Sequence, residues 1–200
     1  MDLKENPENT SLPKPCNKQQ SPMYAMMYQL EARQPSRQQI LSEIERIQTA
    51  VSAMEVECAR PLEVGGVGDA QLKARLEIHE AALHEYFDFF LAANHPTVRD
   101  KLEEMESEYK MLDRMWRYGL LLPLELLRNS PGSREHLLTY IHAAYGTLTS
   151  LYEEVPTFSQ AWTRRLGDFA KYRMLLESGD GQCDDRKIWA EISASWYGKE

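Results

Sequence analysis

Arg173 interrupts an otherwise apolar stripe. Trp162, Leu166, Phe169, Arg173 and Leu176 recur at spacings of four and three, so they share one helix face. A guanidinium there needs a carboxylate or carbonyl partner, because an unpaired buried charge is costly. Two readings stay open: an ion pair with an acid on a neighbouring helix, or an arginine lining an anion-binding groove. Arg164, Asp168 and Lys171 fall on a different face, again at spacings of four and three. That is the pattern of an exposed helix salt bridge, worth only a few tenths of a kcal/mol.

No other constellation points to catalysis. His79 and His84 flank Glu80, but they lie five residues apart and so about 140° apart around a helix. They cannot share a metal as imidazoles four apart do. The spacing predicts a histidine at the core edge and another on the surface. His95, His136 and His142 have no Cys or acidic partners at ligand spacing. There is no Gly-x-Ser-x-Gly elbow and no kinase or nucleotide fingerprint. The run Gly65-Gly66-Val67-Gly68 lacks the Lys-Ser/Thr end of a phosphate loop and follows no strand, so it is read as a connector. The expectation is a chain that is not an enzyme, with no catalytic residue, no metal site and no cofactor.

With 200 residues, 42% of them hydrophobic and 27% charged, the chain has enough length for one core. Its net charge of −8 repels phosphate backbones and argues against broad nucleic-acid binding. Cys16, Cys58 and Cys183 are odd in number and far apart, which suits free thiols in a reducing compartment. No secretory signal is visible, and no apolar run approaches the ~20 residues that span a bilayer. An intracellular protein, nuclear or cytoplasmic and without a membrane partner, is expected.

The residues that could bind must be held by helices, for helical periodicity runs through most of the chain. Residues 1–34 are polar and Pro-rich and are read as a disordered tail with an apolar island from Met23 to Leu30. Ile40, Ile44, Ile47, Val51, Met54 and Cys58 line the first helix, with Ser36 and Gln39 as a capping box. A second helix is predicted from about Asp69 to Ala93, ended by His95-Pro96, with Thr97 and Asp100 capping the next. The third stretch runs to about Arg128, and Pro123 should kink or split it. Leu137, Ile141, Ala144, Leu148 and Leu151 mark the fourth helix. A fifth runs from about Phe158 to Glu177, closed by Gly179-Asp180-Gly181, and a sixth starts near Asp184. The acidic run from Glu103 to Glu108 is a solvated face. No strand is found, so an all-α antiparallel helical array over residues 35–200 is expected.

Leu166-Gly167-Asp168-Phe169-Ala170-Lys171-Tyr172-Arg173, with Trp162 before it and Ile188-Trp189-Ala190 and Ala194-Ser195-Trp196-Tyr197 after it, resembles the signature of one helical family. This is the Est-one-type ("ever shorter telomeres") domain, 14-3-3-like and tetratricopeptide-containing. It occurs in a telomerase subunit and in nonsense-mediated mRNA decay factors, and is often labelled a DNA/RNA-binding domain. His84-Glu85-Tyr86, Tyr109-Lys110-Met111, Trp116-Arg117-Tyr118-Gly119 and Tyr152-Glu153 sit in runs that resemble fungal members, and the likeness spans roughly residues 36 to 200. The family's Leu-Gly-Asp-Leu-Ala-Arg-Tyr-Arg motif belongs to a concave groove that grips a phosphoserine or phosphothreonine through charge-assisted hydrogen bonds. Carried over by position, Lys171 takes the Arg place and Tyr172 the Tyr place. The family's other phosphate ligand, a Lys or Arg on an earlier helix, maps near Glu80. In the family, Trp-Tyr-x-Lys-Ala is followed by further tetratricopeptide helices, whereas this chain ends at Trp196-Tyr197-Gly198-Lys199-Glu200. The resemblance thus implies a domain cut short at its C-terminal side.

The resemblance implies a binding scaffold in a telomerase-linked or mRNA-decay-linked setting, with a protein or phosphopeptide partner. Lys171, Tyr172 and Arg173 are the groove candidates, with Arg164 and Asp168 in support. Two alternatives remain: direct binding of single-stranded DNA or RNA, and a remnant that only self-associates through an uncovered helix face.

Overall fold

Each amphipathic stripe in the sequence becomes one wall of a helical core. The computed structural model describes residues 34–61, 68–130, 132–176 and 183–199. The chain divides into Met1–Gln34 and Pro35–Glu200, and every helix below belongs to the second unit. The expected disordered tail with its apolar island, most of the Gly65–Gly68 connector and the Gly179–Gly181 stop lie outside the described residues.

Helix α1 spans Arg37–Ala59 and begins as its sequence demands. The Ser36 hydroxyl accepts from the Gln39 amide at 3.3 Å, and the Gln39 side chain accepts from the Ser36 amide at 2.8 Å. Ile40, Ile44, Ile47 and Val51 are wholly buried. Each such side chain contributes about 1.5–3 kcal/mol relative to exposure. Helix α2 spans Asp69–Ala93 and runs back antiparallel to α1. Arg75 donates to the Glu57 carbonyl, Tyr86 to Glu55, and Arg46 of α1 reaches Glu85. From Asp88 to Ala93 every residue of α2 is buried. One face stripe does not predict that; it arises because α2 is covered from several sides, by α1, by the segment that follows and by α6. Phe89 is therefore fully buried, while Phe87 is only half-buried.

Thr97 and Asp100 do not cap the next helix. A 3-10 turn at Arg99–Lys101 leads in without a side-chain cap, and Arg37 takes both residues, bonding the Thr97 carbonyl and pairing with the Asp100 carboxylate. The third stretch is then broken in two places. Helix α3 (Leu102–Tyr109) ends at Lys110, which adopts the left-handed conformation at φ 54. Helix α4 (Met111–Arg114) opens into a π-helical segment, Met115–Leu121, before α5 (Leu122–Arg128).

The end of the π segment is supported from neighbouring helices. Pro123 has no N–H, so neither its i−4 carbonyl (Gly119) nor its i−5 carbonyl (Tyr118) can be capped by it. Two side chains supply donors to these carbonyls. Tyr140 donates its hydroxyl to the Gly119 carbonyl at 2.5 Å, and His79 Nδ1 lies 2.7 Å from the Tyr118 carbonyl. Both side chains are buried, so these bonds replace ones that water cannot make. Burial lowers the His79 pKa, which keeps the ring neutral with its Nδ1 proton on the carbonyl. Gly119 also lets the segment press against α2, since a Cβ there would meet Leu83 Cδ1 at 3.2 Å. We expect Tyr140→Phe to cost about 1–2 kcal/mol in urea unfolding, the price of one buried carbonyl left bare. Adding Pro123→Ala, which restores an N–H, should recover part of that loss.

Helix α6 (Arg134–Glu154), α7 (Ser159–Leu176) and α8 (Cys183–Tyr197) complete the array. Helices α6 and α7 are antiparallel, tied by the Trp162 indole donating to the Val155 carbonyl at 3.0 Å and by Arg134 donating to the Leu176 carbonyl at 2.9 Å. Helix α8 packs along α7 and runs parallel to α6, with Tyr145 against Trp189 and Tyr152 against Trp196. Trp162, wholly buried, meets Phe90 edge-to-face at 5.0 Å and joins this part to α2. The architecture is all-α, and no strand occurs among the described residues.

Candidate functional site

Helix α7 carries every residue that the sequence singles out for binding, and the structure sends them in different directions. Lys171 is exposed. Tyr172, one position on, is half-buried and lies in the field of Glu125 and Arg128 of α5. Arg173, one further, is half-buried with its guanidinium over the Trp189 indole of α8, 5.6 Å from the ring centre. Consecutive helical residues are about 100° apart, so the three do not converge on one point. Arg164 is exposed.

Asp168 pairs with Arg165 at 3.6 Å, not with Arg164 as the four-residue spacing implies. The reason lies outside α7. The other Asp168 oxygen accepts the Tyr197 hydroxyl at 2.7 Å, which turns the carboxylate toward α8 and away from Arg164. Arg165 in turn lies over Trp116, 4.1 Å from the ring centre, and Trp116 meets Phe169 edge-to-face at 6.1 Å. Asp168 thus helps hold two helices together.

Gly167 completes that joint. A Cβ there would stand 2.8 Å from Tyr197 Cε1 and 2.9 Å from Cζ, so the bare backbone makes room for the ring. Its carbonyl accepts from the Ser193 hydroxyl at 3.0 Å, a buried bond. Gly167, Asp168, Ser193 and Tyr197 therefore form one lock between α7 and α8.

Two stripes remain on the outer side of α7. Arg164 and Lys171, seven residues apart, share an exposed one; Arg165, Asp168 and Tyr172 share the half-buried one beside it. The Tyr172 hydroxyl is shielded from solvent and has no hydrogen-bond partner among the described residues. Burial raises its pKa above the usual tyrosine value; the Arg128 charge opposes the shift and Glu125 adds to it. The hydroxyl is therefore neutral, with a donor and an acceptor both to spare.

Several polar groups escaped sequence reasoning. Arg114 is bound bidentately by Glu55, Nε at 2.7 Å and Nη2 at 3.0 Å, and Nη2 also meets Ser52. The acid was detectable: Glu55 follows Val51 by four, at the edge of the apolar stripe of α1. Its partner was not, because Arg114 follows the break at Lys110, which resets the helical phase and which the sequence does not announce. Arg165 had no visible signal, since its partner Trp116 lies 49 positions away. His79 and His84 match the sequence expectation, one buried against a carbonyl and one exposed, 4.0 Å from Asp88.

Two surface depressions lie elsewhere. One of about 410 Å³ runs between α1 and α2 over Ala53, Met54, Ala74 and Ile78. The other, of about 260 Å³, is bordered by Arg60, Arg75, His79 and Glu125. Neither reaches α7. Among the described residues no three His, Cys, Asp or Glu side chains are placed to hold a metal, and no helix is long and apolar enough to cross a membrane. No protein-family model matches this chain, and neither a curated protein nor a solved structure matches it.

Proposed function

We propose that this chain is a non-catalytic binding module that takes an acidic or phosphorylated segment of a protein partner on the outer face of α7. The observation that carries the reading is the Tyr172 hydroxyl, shielded from water and without a partner among the described residues, one position after the exposed Lys171. A buried hydroxyl left bare costs free energy that a ligand oxygen would return once the side chain turns its hydroxyl outward. Lys171 and Arg164 add positive charge on the adjoining stripe, and Arg128 adds it from α5. Arg173 lies over Trp189 of α8. The motif resemblance adds a telomerase-linked or mRNA-decay-linked setting to the proposal. Direct nucleic-acid binding is the competing reading, and the net charge of −8 weighs against it.

The test is a titration of the purified chain with a phosphoserine peptide, its unphosphorylated twin and a single-stranded oligonucleotide, each at two salt concentrations. We expect a gain in affinity that depends on the phosphate and is abolished by Lys171→Glu. Oligonucleotide binding of equal strength that falls steeply with salt would replace the proposal with the nucleic-acid reading. No binding of any of the three would remove it.

A further inference from the structure

Helices α6 and α8 present a second cluster that the α7 face does not use. Tyr145 and Tyr152 are seven residues apart on α6, and Trp189 and Trp196 are seven apart on α8. Because the two helices run parallel, the pairs come into register. Tyr145 meets Trp189 edge-to-face at 5.7 Å, and Tyr152 meets Trp196 at 5.2 Å with their planes at 78°. The Trp196 indole donates to the Tyr145 hydroxyl at 2.6 Å, which fixes the indole plane. All four rings are half-buried. Tyr152 and Trp196 thus form a rigid corner of two nearly perpendicular aromatic walls, with the Tyr145 oxygen behind it.

That corner already holds a cation. Lys199, exposed and two residues beyond the end of α8, lies with its ammonium 3.8 Å from the Trp196 ring centre and 5.5 Å from that of Tyr152. Both distances are within the reach of a cation–π contact. A plain ammonium is strongly hydrated and gains little at a half-exposed site. A methylated ammonium holds its water less tightly and presents methyl groups to the rings, and aromatic corners recognise that chemistry. The occupant already seated is a lysine side chain, so the corner accepts that stem.

We propose that the Tyr152–Trp196 corner binds a methylated lysine side chain of a protein partner, with Lys199 as an internal occupant that the ligand displaces. The site stands apart from the α7 face, and neither proposal depends on the other.

The experiment titrates the full chain with three peptides, followed through the Trp196 indole resonance. One peptide carries trimethyl-lysine, one carries unmodified lysine, and one carries a neutral tert-butyl isostere of trimethyl-lysine. The trimethylated peptide is expected to shift the indole signal and to bind more tightly than the other two. Lys199→Gln removes only an exposed side chain, so the fold should survive, and it should tighten the trimethylated complex roughly threefold. Equal binding by the neutral isostere would overturn the proposal, because the attraction would not be to the charge. So would an unmoved Trp196 signal at millimolar peptide, or a Lys199→Gln variant whose affinity is unchanged or lower.

Discussion

Glu55→Ala is expected to cost about 3–5 kcal/mol, the largest loss of any single substitution argued from this structure. Glu55 and Arg114 have side-chain exposures of only 14% and 19%, so each charge depends on the other rather than on water. The carboxylate accepts three bonds, two from the guanidinium and one from the Tyr86 hydroxyl at 2.5 Å. Burial is the largest influence and opposes the Arg114 charge, but the Glu55 hydrogen bonds and the Glu55 charge together overcome it and hold the Arg114 pKa above its ordinary value. Removing Glu55 leaves a guanidinium and a phenol in the core without their acceptor. The pair is a demand on the fold more than a gain: desolvation offsets most of its attraction. The double variant Glu55→Met/Arg114→Met should therefore recover most of the loss. Urea unfolding of the two single variants and the double variant measures this directly. A single-variant loss below about 1 kcal/mol would place the pair in effective contact with solvent.

Gly167→Val is expected to cost about 3 kcal/mol, by overpacking against Tyr197 and by weakening the bonds to Ser193 and Asp168. Helix propensity points the other way, since valine is a better helix former than glycine. The ring is therefore what decides the sign, and this can be checked. In a Tyr197→Ala background the obstruction is gone, so Gly167→Ala should stabilise the chain by up to about 1 kcal/mol. In the intact protein the same alanine should destabilise it and lower the amide exchange protection of α8. If alanine has the same effect in both backgrounds, α7 and α8 are not joined in this way.

The fold was largely legible because its helices are amphipathic and bounded by readable signals. The Ser36–Gln39 box and the limits of α2 at Asp69 and Ala93 follow from cap chemistry and periodicity alone. The third stretch was not legible in the same way. Its break at Lys110 falls at a residue with no preference for the left-handed conformation, and its π segment depends on acceptors satisfied by His79 and Tyr140 from other helices. Spacing along one helix cannot foresee a hydrogen bond that crosses to another. The same limit governs the site. Gly167-Asp168 and Trp196-Tyr197 stood out in the sequence, and Tyr197 turns out to touch both Gly167 and Asp168. Their place in the structure is a helix-packing joint. Arg164 and Asp168 were paired on spacing, but Tyr197 reorients the carboxylate and Arg165 takes the pairing. Tyr172 emerges as the distinctive polar group only once its burial and its bare hydroxyl are seen together.

In the proposed complex this hydroxyl meets the ligand. The measurement that bears on it most directly compares wild type with Tyr172→Phe, in stability and in affinity for the phosphoserine peptide. Deleting a buried hydroxyl that has no partner should leave stability unchanged or slightly raised, while affinity falls roughly fivefold. An affinity equal to that of wild type would contradict the account.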